Sequence, residues 1–362
     1  MAKSLTVPKP PQVDQPSPAS LPELRRKVID AKLTVGRLRR SGGGGAELLS
    51  ARVLLAVTRL NTVRLVRVFQ LYLQRRGPLM AAGLAYRLFF AIAALLVVGF
   101  ATLGIVIAGN EGLQSVVIDA VGRTVPGLIG DRSEGEGVIE RDSLFAETRG
   151  LGFTLVVSVI VMLFTALSWV GGMRQAMRGM FALDPVFANP LLLRLKDLGT
   201  LALLAVVMLV TTALGIIANN TLGALLAFLN LSGVTQMLTQ AAGFAVMIIL
   251  DTLVAMVLLH HASAIDMPRK ILRQGAVIAG LGSSLLRTFS AQILGSLGNN
   301  PLLVPFAVIL ALFIWFFLLS QVYMLATAWC AIGAADAEGQ TERDHLGKAG
   351  TLKQRSRRGA SD

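Results

Sequence analysis

The chain has 362 residues, 54% of them hydrophobic and 15% charged, with a mean hydropathy of +0.66. A soluble domain carries about a quarter charged residues. Here the apolar residues fall in continuous runs of about 20, the length that crosses a bilayer core as a helix. An all-α, polytopic membrane protein is expected, and a β-barrel, which needs alternating segments of about 10 residues, is excluded. The net charge of +13 sits largely in the N-terminal region, so the expected partner is an anionic inner leaflet rather than nucleic acid.

In chain order, residues 1–45 read as a disordered basic tail, with the proline-rich "PKPPQVDQPSPASLP" and the hinge "SGGGG". No apolar secretory core is visible there, so the first span is expected to act as the insertion signal. The glycine run lacks the Gly-Lys-Ser/Thr ending of a phosphate loop. Residues 46–76 predict one amphipathic helix before the first span. On it Arg52, Arg59 and Arg67 recur at intervals of 7 and 8 among apolar positions. Such a helix either lies in the headgroup layer with these arginines on anionic lipid, or packs on the protein's own cytosolic face.

A membrane domain over 77–335 follows, with six transmembrane helices expected at about 88–108, 151–172, 198–217, 236–259, 275–297 and 303–331. Residues 336–362 read as a disordered cytosolic tail. Charge sets the orientation. Before the first span stand 15 Lys/Arg against 4 Asp/Glu, whereas the loop 109–150 has 4 against 8. The loops 173–197 and 260–274 are again basic, at 4 against 2 and 3 against 1. Every basic excess therefore falls on a segment that an N-inside, six-span topology leaves in the cytosol, and both termini are expected there.

The loop 109–150 is the one long outer segment. Leu113, Val116, Val117, Ala120 and Val121 are spaced as one apolar helix face, predicting a second amphipathic helix that ends near Pro126. Beyond it Asp131, Ser133 and Asp142 occupy positions 1, 3 and 12 of a calcium-loop pattern. Position 6 is Glu136, where the turn needs glycine, so a solvated acidic loop is expected.

Three charges remain in or at the spans: Arg87, Asp251 and Arg287. Charges at membrane depth are rare and face a bundle interior or a wet cavity. Asp251 and Arg287 fall mid-way along neighbouring spans. They form either a polar path for a headgroup, ion or proton, or an ion pair that fixes helix register. Arg87 opens an apolar run of 21 residues, so it is either an interface anchor that snorkels to the headgroups or a gate residue of the same path. Small residues in "GAVIAGLGSS" (275–284) suit close helix contacts. No catalytic, cofactor or metal site is expected. His260 and His261 are adjacent and cannot converge on one metal from a single helix face, no Gly-x-Ser-x-Gly is present, and the single cysteine, Cys330, rules out an intramolecular disulfide.

The segments "AAGLAYRLFFAIAALLV", "VGRTVPGLIG", "ALSWVGGMRQAMRGMFALDP" and "PLLVPFAVILALFIWFFLLSQVYMLATAWC" resemble the YihY/BrkB family of bacterial inner-membrane proteins over roughly residues 65–335. The family pattern has serine and proline near Ala91 and Ala94, and Gly-Ala-Glu near Ala326 and Thr327, where this chain departs. The resemblance implies a role in envelope integrity, and one branch of the family is linked to moving lipid-linked envelope precursors. The ribonuclease label once attached to the family finds no support in the residues. Two functions are expected to compete: a transporter or flippase of a lipid or other amphiphile, and a non-transporting protein that organises envelope machinery.

Overall fold

A computed structural model describes residues 17–41, 44–108, 112, 129–130, 139–140, 151–184, 189–228, 235–295 and 304–358. Three helices form the lead: α1 (Leu21–Arg40), α2 (Gly45–Leu60) and α3 (Arg64–Gln74). Six long helices follow: α4 (Gly77–Ala108), α5 (Leu151–Met180), α6 (Pro190–Phe228), α7 (Thr235–Val257), α8 (Arg269–Gly295) and α9 (Val304–Arg358). One π-turn, Leu258–Ala262, prolongs α7. Between α4 and α5 two short strands, β1 (Ile129–Gly130) and β2 (Ile139–Glu140), pair in parallel.

Among the described residues four stretches are long and apolar enough to cross a membrane: Gly77–Val106, Leu155–Met180, Gly243–Ala262 and Ile309–Gln340. They correspond to four of the six expected spans. The expected span 275–297 falls in α8, where Gly275, Gly280, Gly282, Ser283, Ser284 and Arg287 lower the hydropathy. The expected span 198–217 falls in α6, whose apolar run continues past the residues with described side chains. The first crossing helix starts at Gly77 and not at 88, so Arg87 lies inside it.

Each long helix packs on its chain neighbours, and α9 returns to α4. The six therefore close a ring, which α9 also crosses to touch α5; the seam between α5 and α6 is the least extensive. The buried core gathers at one end of this ring, here the basal end. It takes Ala81 and Leu84 from the start of α4, Met173, Met177 and Met180 from the end of α5, and Leu258, Leu259 and Ala262 from the end of α7. Ala276 and Ala279 of α8 and Met324, Ala328 and Ile332 of α9 complete it. Toward the other end the same helices expose Leu95, Phe100 and Leu103 on α4, and Val156, Ile160 and Phe164 on α5. This is a surface suited to acyl chains.

Close approach at the basal end rests on small residues. A Cβ on Gly280 would lie 2.8 Å from Thr252 Cα, so α7 and α8 touch backbone to backbone there. Three turns at this end hold non-glycine residues in the left-handed region: Arg76 (φ 55°) after α3, Ala182 (φ 57°) after α5 and Ala264 (φ 51°) after the π-turn. Such a residue costs roughly 1 kcal/mol. Arg178 ties two of these turns together, donating to the carbonyls of Asp184 (3.0 Å) and Ala264 (3.3 Å).

The terminal segments differ from the composition-based reading. Residues 21–40 are helical where a disordered tail through residue 45 was expected. Glu23 in the first turn and Arg37, Arg39 and Arg40 in the last complement the helix dipole. The expected single helix over 46–76 is two, broken at Asn61–Val63, where Asn and two β-branched residues in a row are poor helix formers. The helix α9 runs unbroken to Arg358 through the expected tail 336–362. The expected outer helix at 113–126, and Asp131, Ser133, Glu136 and Asp142 of the acidic loop, lie outside the described residues.

Candidate functional site

The close contact of α7 with α8 puts Asp251 against two donors from one face of α8, three residues apart. Arg287 Nη2 donates to Asp251 Oδ1 at 2.8 Å and Ser284 Oγ donates to Oδ2 at 2.7 Å. The two members differ in access: the Asp251 side chain is 10% exposed and that of Arg287 54%. The carboxylate is enclosed, and the guanidinium bound to it still meets its surroundings. Asp251 lies eleven residues, about 16 Å, from the basal end of the π-turn. Ser283 and, from α9, Tyr323 are buried beside it. A charged group, a hydroxyl, a phenol and a carboxylate thus share one spot at membrane depth.

Arg87 stands elsewhere. It lies ten residues into α4, about 15 Å from the start of that helix. Its Nη1 donates to the carbonyl of Ser168 on α5 at 3.0 Å, and the guanidinium lies over Gly172, where any side chain would collide with it. A notch of about 260 Å³ beside it is lined by Gly83, Gly172 and Gln175 together with Met80, Leu84 and Ala176. Of the three charges singled out in the sequence, then, the structure joins Asp251 to Arg287 on the α7–α8 seam and sets Arg87 apart on the α4–α5 seam. It does not snorkel along its own helix; it bonds its neighbour.

A second buried ion pair was not legible in the sequence. Arg174 of α5 and Asp197 of α6 form a two-pronged ion pair, Nη1 to Oδ1 and Nη2 to Oδ2, the latter at 3.1 Å. Both residues are buried, at 6% and 2% exposure. They sit one to two turns inside the basal ends of their helices and bridge the thinnest seam of the ring. Each lies near other charges, Arg178 for one and Arg194 and Lys196 for the other. Charge counting therefore assigned them to a loop, and only the length of α5 and α6 reveals them as helical.

Arg67 corrects the expected lipid-facing row. It is buried and reads into the protein: Nη1 and Nη2 grip Asp336 of α9 at 2.9 and 2.8 Å, while Nε and Nη2 donate to the carbonyls of Pro18 and Ala19. The break after α2 turns α3 so that Arg67, Val68, Leu71 and Tyr72 face inward. Arg52 and Arg59 remain exposed on α2, which also exposes Leu49, Val53, Val57 and Leu60. Arg64 stacks on Trp329 of α9 with its guanidinium carbon 4.0 Å from the ring centre, and donates to Gln274 and to the Trp329 carbonyl. Burial pushes the Arg64 pKa down, Asp336 opposes the shift, and an arginine so placed stays charged.

Among the described residues no group of three or more His, Cys, Asp or Glu side chains gathers as a metal site. His260 and His261 meet ring edge to ring face and line an apolar groove with Val206, Val210 and Leu253.

The model of the family described as virulence factor BrkB matches residues 68–349. An uncharacterised protein of Dickeya dadantii (strain 3937) is 22% identical over 275 residues, 74% of this chain and 81% of the relative. The inner membrane protein YhjD of Escherichia coli (strain K12) is 22% identical over 276 residues, 74% of this chain and 80% of the relative. No solved structure matches the chain.

Proposed function

The chain belongs to the virulence factor BrkB family and is an inner-membrane protein, and on that premise we propose that it is a transporter or flippase of a lipid or other amphiphile that contributes to envelope integrity. In this reading α6 and α8 also cross the bilayer, giving six spans with both termini in the cytosol. At 39 and 27 residues they are about 58 and 40 Å long, more than the ~30 Å of hydrocarbon. The basal end, where the basic lead folds, is then cytosolic.

One observation carries the reading: a half-exposed Arg287 held by an enclosed Asp251 at membrane depth. A charged group at membrane depth is costly, and such groups line a bundle interior or water-filled or substrate-filled space. Asp251 and Arg287, with Ser284, offer an anionic or zwitterionic headgroup a station at which it exchanges partners without crossing apolar space unpaired. Arg87 in its notch serves a second position at similar depth, on the α4–α5 seam. Membrane lipids are the partners, with Arg52 and Arg59 holding the exposed face of α2 on the anionic leaflet. The protein works in this reading without covalent chemistry, cofactor or metal.

The test is lipid translocation by the purified protein in liposomes, with Asp251→Asn alongside. Movement by the native chain and none by a folded Asp251→Asn protein is the expected result. Equal movement by both would remove Asp251 from the path. The rival reading, a non-transporting protein that organises envelope machinery, draws on Arg174–Asp197 and Arg67–Asp336, where enclosed ion pairs serve as helix locks. It predicts no movement across a panel of lipids, together with stable protein partners in mild detergent.

A further inference from the structure

The lead helices fold over the basal end and leave a cleft of about 480 Å³ between α1, α3 and α9. Its walls differ in kind. Leu21, Val28 and Ile29 of α1 form an apolar side; Arg25, Arg64 and Arg67 form a cationic one, with Asp336 the carboxylate that lines it. Arg67 and Asp336 are spent on each other and on the carbonyls of Pro18 and Ala19. Three guanidiniums against one carboxylate leave two positive charges over. Arg25 is exposed, and Arg64 has hydrogen bonds only to neutral acceptors, with its Nε buried and unpartnered among the described residues. The cleft opens where the apolar stretch Ile309–Gln340 of α9 is ending, so it sits at the level where lipid phosphates meet chains.

We infer that this cleft binds an anionic phospholipid, with the phosphate against Arg25 and Arg64 and the first part of the acyl chains along Leu21, Val28 and Ile29. A free phosphate ion would use the cationic wall and leave the apolar one wet; an anionic amphiphile uses both. The site is separate from the Asp251–Arg287 pair, and binding here requires no transport.

Trp329 is a local reporter, because its ring lies under Arg64. The chain has three tryptophans, and the indole nitrogens of Trp169 and Trp315 have no hydrogen-bond partner among the described residues. Replacing both with Phe therefore breaks no bond and leaves Trp329 as the sole emitter. The full chain in this background is titrated in mild detergent with phosphatidylglycerol or phosphatidylcholine brominated on the acyl chains, and quenching is read. Preferential quenching by phosphatidylglycerol is expected. It should weaken about fivefold with Arg25→Gln, the effect of one surface arginine on an anionic lipid, and disappear with Val28→Glu, which sets a negative charge in the cleft. Both changes lie on the outer turns of α1 and leave the Arg64–Trp329 contact in place; unchanged elution on gel filtration checks the fold. Equal quenching by the two lipids, or a preference that survives both changes, overturns the inference. Displacement by glycerol 1-phosphate as readily as by the lipid also overturns it and assigns the cleft to a soluble phosphate. A failure here leaves the transport reading standing, and a failure to translocate leaves this binding standing.

Discussion

Two ion pairs cross seams of the same helical ring, Arg174–Asp197 between α5 and α6 and Asp251–Arg287 between α7 and α8, and they are built for different ends. In the first, both side chains are sealed and the guanidinium meets its carboxylate through two nitrogens. Nothing is left over for a ligand. In the second, one nitrogen of Arg287 engages one oxygen of Asp251, a serine takes the other oxygen, and more than half of the arginine side chain stays accessible. A sealed pair resists removal of one partner because a lone buried charge remains. An open pair can trade that partner for water or for a headgroup. The comparison separates locking from handling within one bundle.

The largest effect should follow from unsealing the first pair. Asp197→Asn strands Arg174 in the α5–α6 seam and should cost about 3–5 kcal/mol, read as a lower thermal midpoint in detergent. Replacing both residues with apolar ones of similar volume should restore most of that loss. If Asp197→Asn were as stable as the native protein, the locking role would fall. Next comes Gly280→Ala, which forces α7 and α8 apart beside the open pair and should cost about 1–3 kcal/mol through overpacking. Smaller again is Asp251→Asn. Arg287 keeps access to its surroundings and Ser284 keeps an acceptor, so the stability loss should stay near 1 kcal/mol while translocation is lost. A stability loss equal to that of Asp197→Asn would make the two pairs alike and erase the distinction. The smallest effect is expected from Arg52→Gln with Arg59→Gln: within about 0.5 kcal/mol in stability, since both are exposed, but weaker attachment of the lead to anionic vesicles in a flotation assay.

The open pair was legible in the sequence because Asp251 and Arg287 interrupt apolar runs with no other charge near. The sealed pair was hidden by its neighbours: a window that meets Arg178 or Lys196 reports a loop, although α5 and α6 carry their helical geometry past the edge of the apolar run. Arg67 misled for a related reason. Its spacing from Arg52 and Arg59 places it on their face only if the helix is continuous, and the break at Asn61–Val63 rotates it inward. The four apolar crossings followed from hydropathy alone. The ring they close did not, because the return of α9 to α4 is a contact between segments over 200 residues apart, which no local pattern encodes.

The helix α9 gives the molecule an axle. Tyr323, beside the open pair, and Asp336, in the cleft under the lead helices, are thirteen residues apart on one unbroken helix, about 20 Å along its axis. Any rotation that moves Tyr323 relative to Asp251 turns Asp336 through the same angle against Arg67. A change at either end is therefore reported at the other by rigid rotation, with no need for a chain of rearranged side chains between them.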